Sequence, residues 1–312
     1  MSTKRGFAPW IEAMRLRTLP VSVAGVLAGW IVAFAYGSFR ILPALICLFF
    51  AIGAQIVSNF ANEYFDYANG LDKKGREGFR RGVTEGDIDP KKMLRATLSL
   101  LGLVCLMGLS LIYWGGWWLL PIGIVIAIAA LAYSAGPWPL SHHGLGDVAV
   151  IIFFGIVPVC LTAYVQLPDW DAQSIFPAIH LTMIQAALPI STGIGLMAAD
   201  VLIVNNVRDI EDDRAVNKKT TAVLFGRRTM TVVYLIFALG GLALIVSPFI
   251  SLLPILAKII WIIPAFCAVK NYLRLTTLRG AALNNVLRQT ALLLAASIIL
   301  LAAELLILYH IL

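Results

Sequence analysis

The sequence predicts an all-α membrane protein, a bundle of about nine transmembrane helices. Composition is the first reason: of 312 residues, 60% are hydrophobic and 13% charged, about half the roughly 25% charged share of a water-facing domain. Patterning is the second. At a mean hydropathy of +0.87, the apolar residues fall in unbroken runs of roughly the 20 residues that a bilayer-crossing helix needs. They do not form the short alternating segments of an outer-membrane barrel. Third, the cations are partitioned, because alternate ends of the runs hold all but Arg40 and Lys258 of the 24 Lys and Arg. Soluble, disordered and fibrous classes are excluded together.

The first span covers 20–37, between Arg17 and Arg40. Before it, Lys4 and Arg5 lead into polar and amphipathic residues with no apolar stretch ending at a small-residue cleavage site, so this span is expected to anchor the chain. The second, 42–61, stops where the acids begin. The third and fourth, 94–114 and 116–134, follow Lys91, Lys92 and Arg95. An external turn with Asp169 and Asp171 parts the fifth, 147–166, from the sixth, 177–204. The seventh, 229–249, and eighth, 252–270, are divided only by a turn near Pro248 and Pro254, which leaves a count of eight open. The ninth, 287–309, carries Glu304, which must find a partner or an interface. Pro158, Pro189 and Pro264 predict kinks within spans. Cys47, Cys105, Cys160 and Cys267 stand singly in apolar runs and are expected as small core residues without redox or ligand roles.

By the positive-inside rule the cation-rich face is cytoplasmic, which places the N-terminus inside and the C-terminus outside. The net charge of +7 follows from that topology. No aromatic-interleaved basic stripe points to nucleic acid; contact with anionic membrane lipid accounts for the charge. No Gly/Ser linker divides the chain, so 1–312 is expected to be one integral domain with cytoplasmic acidic-motif loops at 62–92 and 205–228. The sequence leaves the oligomeric state open.

The carboxylates are as unevenly placed as the cations. Of 17 Asp and Glu, seven fall between Glu63 and Asp89 and five between Asp200 and Asp213. Both clusters sit at cytoplasmic ends of spans, after the second and the sixth. In the first, Asn62 and Asp66 share a helix face, and Gly70 permits a turn that folds Asp72 back towards them. In the second, Asn205, Asp209 and Asp213 stack at i, i+4, i+8. The shared Asn-x-x-x-Asp spacing suggests a four-span unit used twice, with a ninth helix added.

Neighbouring carboxylates repel: about 5 Å apart at an effective dielectric near 20, two charges cost roughly 3 kcal/mol. They call for a cation between them, and oxygen-only clusters suit Mg²⁺, which completes its shell with substrate phosphates. Two facing acidic stripes would make a diphosphate clamp. The competing reading is solvated helix-end charge paired with nearby Arg and Lys; two matched motifs with Asn at one offset favour the clamp.

At these motifs the chain resembles the UbiA superfamily of intramembrane prenyltransferases, and within it the menaquinone-pathway branch. The cues are Asn62, Asp66, Gly70 and Asp72 in the first motif and Asn205, Asn206, Arg208, Asp209 and Asp213 in the second. Arg15-x-Arg17-Thr18-Leu19-Pro20, Tyr133-x-x-Gly136-Pro137 and Gly144-x-Gly146-Asp147 are similar to further family segments in the same order. Leu16 stands where the branch commonly has proline. Asn217 replaces a glycine, Leu224 an arginine, and Asp200 is an extra acid.

The resemblance implies transfer of a polyprenyl group from an allylic diphosphate to 1,4-dihydroxy-2-naphthoate, with loss of CO₂, in a bacterial inner membrane. It implies Mg²⁺ held by Asp66, Asp72, Asp209 and Asp213, with Asn62 and Asn205 as neutral ligands or orienters and the Asn205–Asn206 pair a naphthoate-branch cue. Lys218, Arg81 and Arg208 are candidate diphosphate clamps, and Tyr133 a cation–π partner of the prenyl cation. His142 and His143 are expected to be solvated or substrate-adjacent. Two alternatives stay open: another aromatic acceptor, and a secondary transporter, whose polar groups would lie at mid-membrane.

Overall fold

The computed structural model describes residues 6–72, 74, 80–167 and 178–311. Lys4, Arg5, Asp169 and Asp171 lie outside the described residues. The chain forms α1 (Ala8–Met14), α2 (Leu19–Ala35), α3 (Ile41–Ala68), α4 (Pro90–Gly115), α5 (Leu119–Ala132) and α6 (Gly146–Tyr164). It continues through α7 (Ala178–Arg208), α8 (Thr221–Val246), α9 (Ile255–Thr277) and α10 (Leu283–Ile311).

Seven of the described helices are long and apolar enough to cross a membrane, and α1 with α2, bent by 51°, makes an eighth. This stands close to the expected count of about nine. The remaining position, the expected span 116–134, is the shorter apolar helix α5 of 14 residues, which reaches about 21 Å against a hydrocarbon core of about 30 Å. Gly116, at φ +81°, delays its start, and the turn through Gly136 at φ +89° follows its end. Elsewhere the starts follow local chemistry. Asp89 caps α4 by accepting from the backbone N–H of Lys91 at 2.8 Å and Lys92 at 3.1 Å, with Pro90 at the first helical position.

Helix α7 is the axis of the bundle, 72% of its apolar window being buried against α2, α6, α8 and α10. Glycines permit that approach: a Cβ on Gly155 of α6 would lie 2.5 Å from Gly195 Cα, and one on Gly193 would lie 2.6 Å from Gly241 O of α8. Pro158 follows a π-helical stretch, Ile151–Ile156, whose wider turn absorbs the missing N–H and the ring clash. Pro264 follows a break at Trp261, whereas α7 stays helical through Pro189. Cys47 is buried, but Cys105 is exposed on α4, which corrects its expected core position. Glu304 finds its partner in Trp261, whose Nε1 donates to the carboxylate at 2.9 Å.

Candidate active site

Both acid motifs lie at one end of the bundle, on helix termini more than in loops. The last two turns of α3 carry Asn62, Glu63 and Asp66. Gly70, at φ +69°, then reverses the chain, and the Leu71 N–H donates to Asp66 O at 2.9 Å. Asp72 thus returns beside Asp66, with Arg81 between them: its NH2 lies 3.5 Å from Asp66 Oδ2 and its Nε 3.3 Å from Asp72 Oδ2. From the other side, His142 Nε2 lies 3.6 Å from Asp66 Oδ1. His143 instead stacks on Trp138 at 4.5 Å.

In the second motif α7 ends at Arg208, and Asp209 leaves helical geometry before the short helix Ile210–Ala215. The i→i−4 bonds nonetheless continue, Asp209 N to Asn205 O at 3.1 Å and Asp213 N to Asp209 O at 2.9 Å. Arg208 grips Asp209 with Nε at 2.7 Å and NH2 at 2.8 Å. Its NH2 also donates to Asn205 Oδ1 and its NH1 to Asn284 Oδ1, both at 2.8 Å. Lys218 Nζ stands 4.0 Å from Asp213 Oδ1.

Two adjoining cavities unite these residues. A polar one of about 170 Å³ is lined by Asn62, Arg81, Tyr133, Asn205, Asn206, Arg208, Asp209, Asp213 and Lys218. A mouth of about 1030 Å³ is lined by Asp66 and Asp72 opposite Arg208, Asp213 and Lys218. Every site residue expected from sequence therefore faces one or both. The polar cavity shares Gln55, Ser58, Tyr133, Val150 and Phe154 with an apolar cavity of about 160 Å³, which continues into another between α4 and α5. Tyr133, at the end of α5, stands where polar lining gives way to apolar.

The carboxylates face cations, and among the described residues no three His, Cys, Asp or Glu converge as a metal-binding group. The donor chemistry still fits a hard divalent ion: it is all oxygen, and Asp66 Oδ1 is buried without a hydrogen bond. Arg208, expected as a clamp, has four of its five N–H donors directed at Asp209, Asn205 and Asn284. Sequence reasoning missed several partners. Arg15 donates to Asn62 Oδ1 at 2.7 Å, Asn62 donates to Ser134 Oγ at 2.8 Å, and Thr221 donates to Asp147 Oδ2 at 2.5 Å. Arg15 and Asp147 stood within the family-like segments, whereas nothing in the sequence marked Asn284.

Fold and site together define a polytopic membrane protein with a charged head cavity continuous with an apolar passage. The chain belongs to the UbiA prenyltransferase family, whose model matches residues 22–298. A 1,4-dihydroxy-2-naphthoate octaprenyltransferase of Escherichia coli (strain K12) is 37% identical over 223 residues, 70% of this chain and 68% of that relative. Among solved structures, a UbiA homologue from Aeropyrum pernix K1 superposes with a TM-score of 0.68 at 14% identity, over 92% of this chain and 97% of its own. One from Archaeoglobus fulgidus bound to GPP and Mg²⁺ gives 0.59 at 18% identity, over 93% and 99%.

Proposed function

We propose that the chain transfers a polyprenyl group from an allylic diphosphate to 1,4-dihydroxy-2-naphthoate with loss of CO₂, yielding a prenylated naphthohydroquinone (the reduced form of a demethylmenaquinone) and diphosphate. The observation that carries this reading is a pair of adjoining cavities, a mouth lined by acids of both motifs and a polar chamber that runs past Tyr133 into apolar space. The Escherichia coli relative's name supports the acceptor. Mg²⁺, held by Asp66, Asp72, Asp209 and Asp213 with Asn62 and Asn205 as neutral oxygens, would neutralise the diphosphate as its charge develops; the metal in the Archaeoglobus fulgidus homologue supports this.

Arg81 and Lys218 bind the diphosphate oxygens. Arg208 braces Asp209 and Asn205 in place. The neutral Tyr133 ring faces the developing prenyl cation, and Asn206 offers the acceptor a hydrogen-bonding amide. The tail occupies the apolar passage and extends into lipid. The chain acts as one integral unit in a bacterial inner membrane, with its N-terminus and both motifs cytoplasmic, an orientation that the cation asymmetry supports.

A membrane-fraction assay tests this, with labelled long-chain prenyl diphosphate, Mg²⁺ or EDTA, and 1,4-dihydroxy-2-naphthoate beside 4-hydroxybenzoate. Magnesium-dependent prenylation of the naphthoate with CO₂ release is expected. Prenylation of the benzoate alone would overturn the acceptor, and no product with either would overturn the reaction.

A further inference from the structure

Three carboxylates line the polar cavity, and two of them face cations: Asp209 is gripped by Arg208, and Asp213 lies near Lys218. Asp147 differs. It is 7% exposed, on the first turn of α6 and outside both acid motifs. Thr221 donates to its Oδ2 at 2.5 Å, and its Oδ1 is buried without a hydrogen bond. No Lys or Arg is among its recorded partners among the described residues, so accepting a proton costs it no ion pair. Tyr133 lines the same cavity. Asp200 of α7 is buried as well.

The proposed reaction needs such a group. A hydroxynaphthoate attacks through ring carbon 2 only as its 1-hydroxyl gives up a proton, and a base beside that hydroxyl lowers the barrier. We propose that Asp147 is this base, and that it returns the same proton later in the cycle; the proposal rests on the naphthoate reading above.

The bond between the prenyl carbon and the diphosphate oxygen breaks, its electron pair leaving with the diphosphate, and the bond from ring carbon 2 to the prenyl group forms from the ring π electrons. The O–H bond breaks, its electrons making the carbon 1 carbonyl, and the proton moves to Asp147 Oδ1. The product of that step is a β-keto carboxylate. Its bond between carbon 2 and the carboxyl group then breaks, CO₂ leaves, and the electron pair passes through carbon 1 to its oxygen. Asp147 hands the proton back to that oxygen, giving the prenylated hydroquinone. No proton is consumed, and no oxidant or reductant is required. Thr221 fixes the carboxylate while leaving Oδ1 for the substrate.

The test compares wild type, Asp147→Asn and Asp147→Glu on two acceptors, the native naphthoate and a ring-fluorinated analogue whose hydroxyl is more acidic. Melting temperature in detergent checks the fold of each variant. Asp147→Asn is expected to lose about 10²- to 10⁴-fold on the native acceptor, and less than a tenth of that loss on the acidified one, which needs the base less. Asp147→Glu, which keeps a carboxylate one methylene displaced, shows the same ordering with smaller losses and carries the test if Asp147→Asn melts early. Equal losses on both acceptors in a folded variant, or no loss, overturn the proposal. Failure of the wild type to prenylate either acceptor overturns the naphthoate reading instead.

Discussion

Asp66 and Asp209 occupy matching places in the two motifs, yet their surroundings differ. Asp66 meets Arg81 at 3.5 Å, while Arg81 also holds Asp72. Asp66→Ala should therefore cut turnover at least about 100-fold and leave the melting temperature within a few degrees. Asp209 is the main counter-charge of an Arg208 side chain only 2% exposed, and breaking a buried pair costs about 3–5 kcal/mol. Asp209→Ala should lose both turnover and stability, so Asp209→Asn is the better probe of catalysis. At Tyr133, removal of the hydroxyl by Tyr133→Phe should leave kcat within a few-fold. Tyr133→Leu should lower it by about 0.5–2 kcal/mol in barrier; equal losses in both would point to the hydroxyl instead of the ring. Asn217, where the sequence pattern led to an expected glycine, lies at φ +56° in the left-handed conformation that glycine and asparagine tolerate. Asn217→Gly should be tolerated, and Asn217→Val should destabilise by about 1–2 kcal/mol in a thermal melt.

At the scale of helices, the close approach of α6 to α7 is the vulnerable joint. A side chain at Gly195 meets Ile151 backbone atoms at 2.6 and 3.0 Å, which cannot move aside as a flexible side chain can. Gly195→Leu is expected to cost about 1–3 kcal/mol or more, read as early melting and low yield of folded protein. The spans themselves were legible because hydrophobic runs between charges scarcely depend on tertiary context. The turn at Gly70 and the common face of Asn205, Asp209 and Asp213 were legible too, since residues within eight positions settle them. The short α5 and the bend between α1 and α2 were not, because glycine turns and packing set where a helix ends. Nor were the partners Arg15–Asn62, Asp147–Thr221 and Arg208–Asn284, which lie 47, 74 and 76 residues apart. No local spacing rule reaches across such distances.

For the whole molecule, the asymmetry of charge is a statement about orientation. Arg40 and Lys258 fall at the end of the bundle opposite the acids, since α3 runs from Arg40 to Asp66 and α9 begins beside Lys258. In a background lacking the four native cysteines, an impermeant thiol reagent applied to intact cells should label Ser251→Cys, in the turn between α8 and α9. It should leave Arg214→Cys unlabelled until the membrane is opened. The reverse pattern would invert the orientation.

The Arg208–Asn284 hydrogen bond also sets a timetable. The second motif leaves the ribosome before its brace exists, because Asn284 trails Arg208 by 76 residues. At about 5–20 residues per second, that interval is roughly 4–15 s. For that time a nascent chain carries both acid motifs with one guanidinium nitrogen still lacking this partner. The head cavity reaches its final form only when the last helix has been made, so a truncated message yields an inserted bundle with an unfinished site.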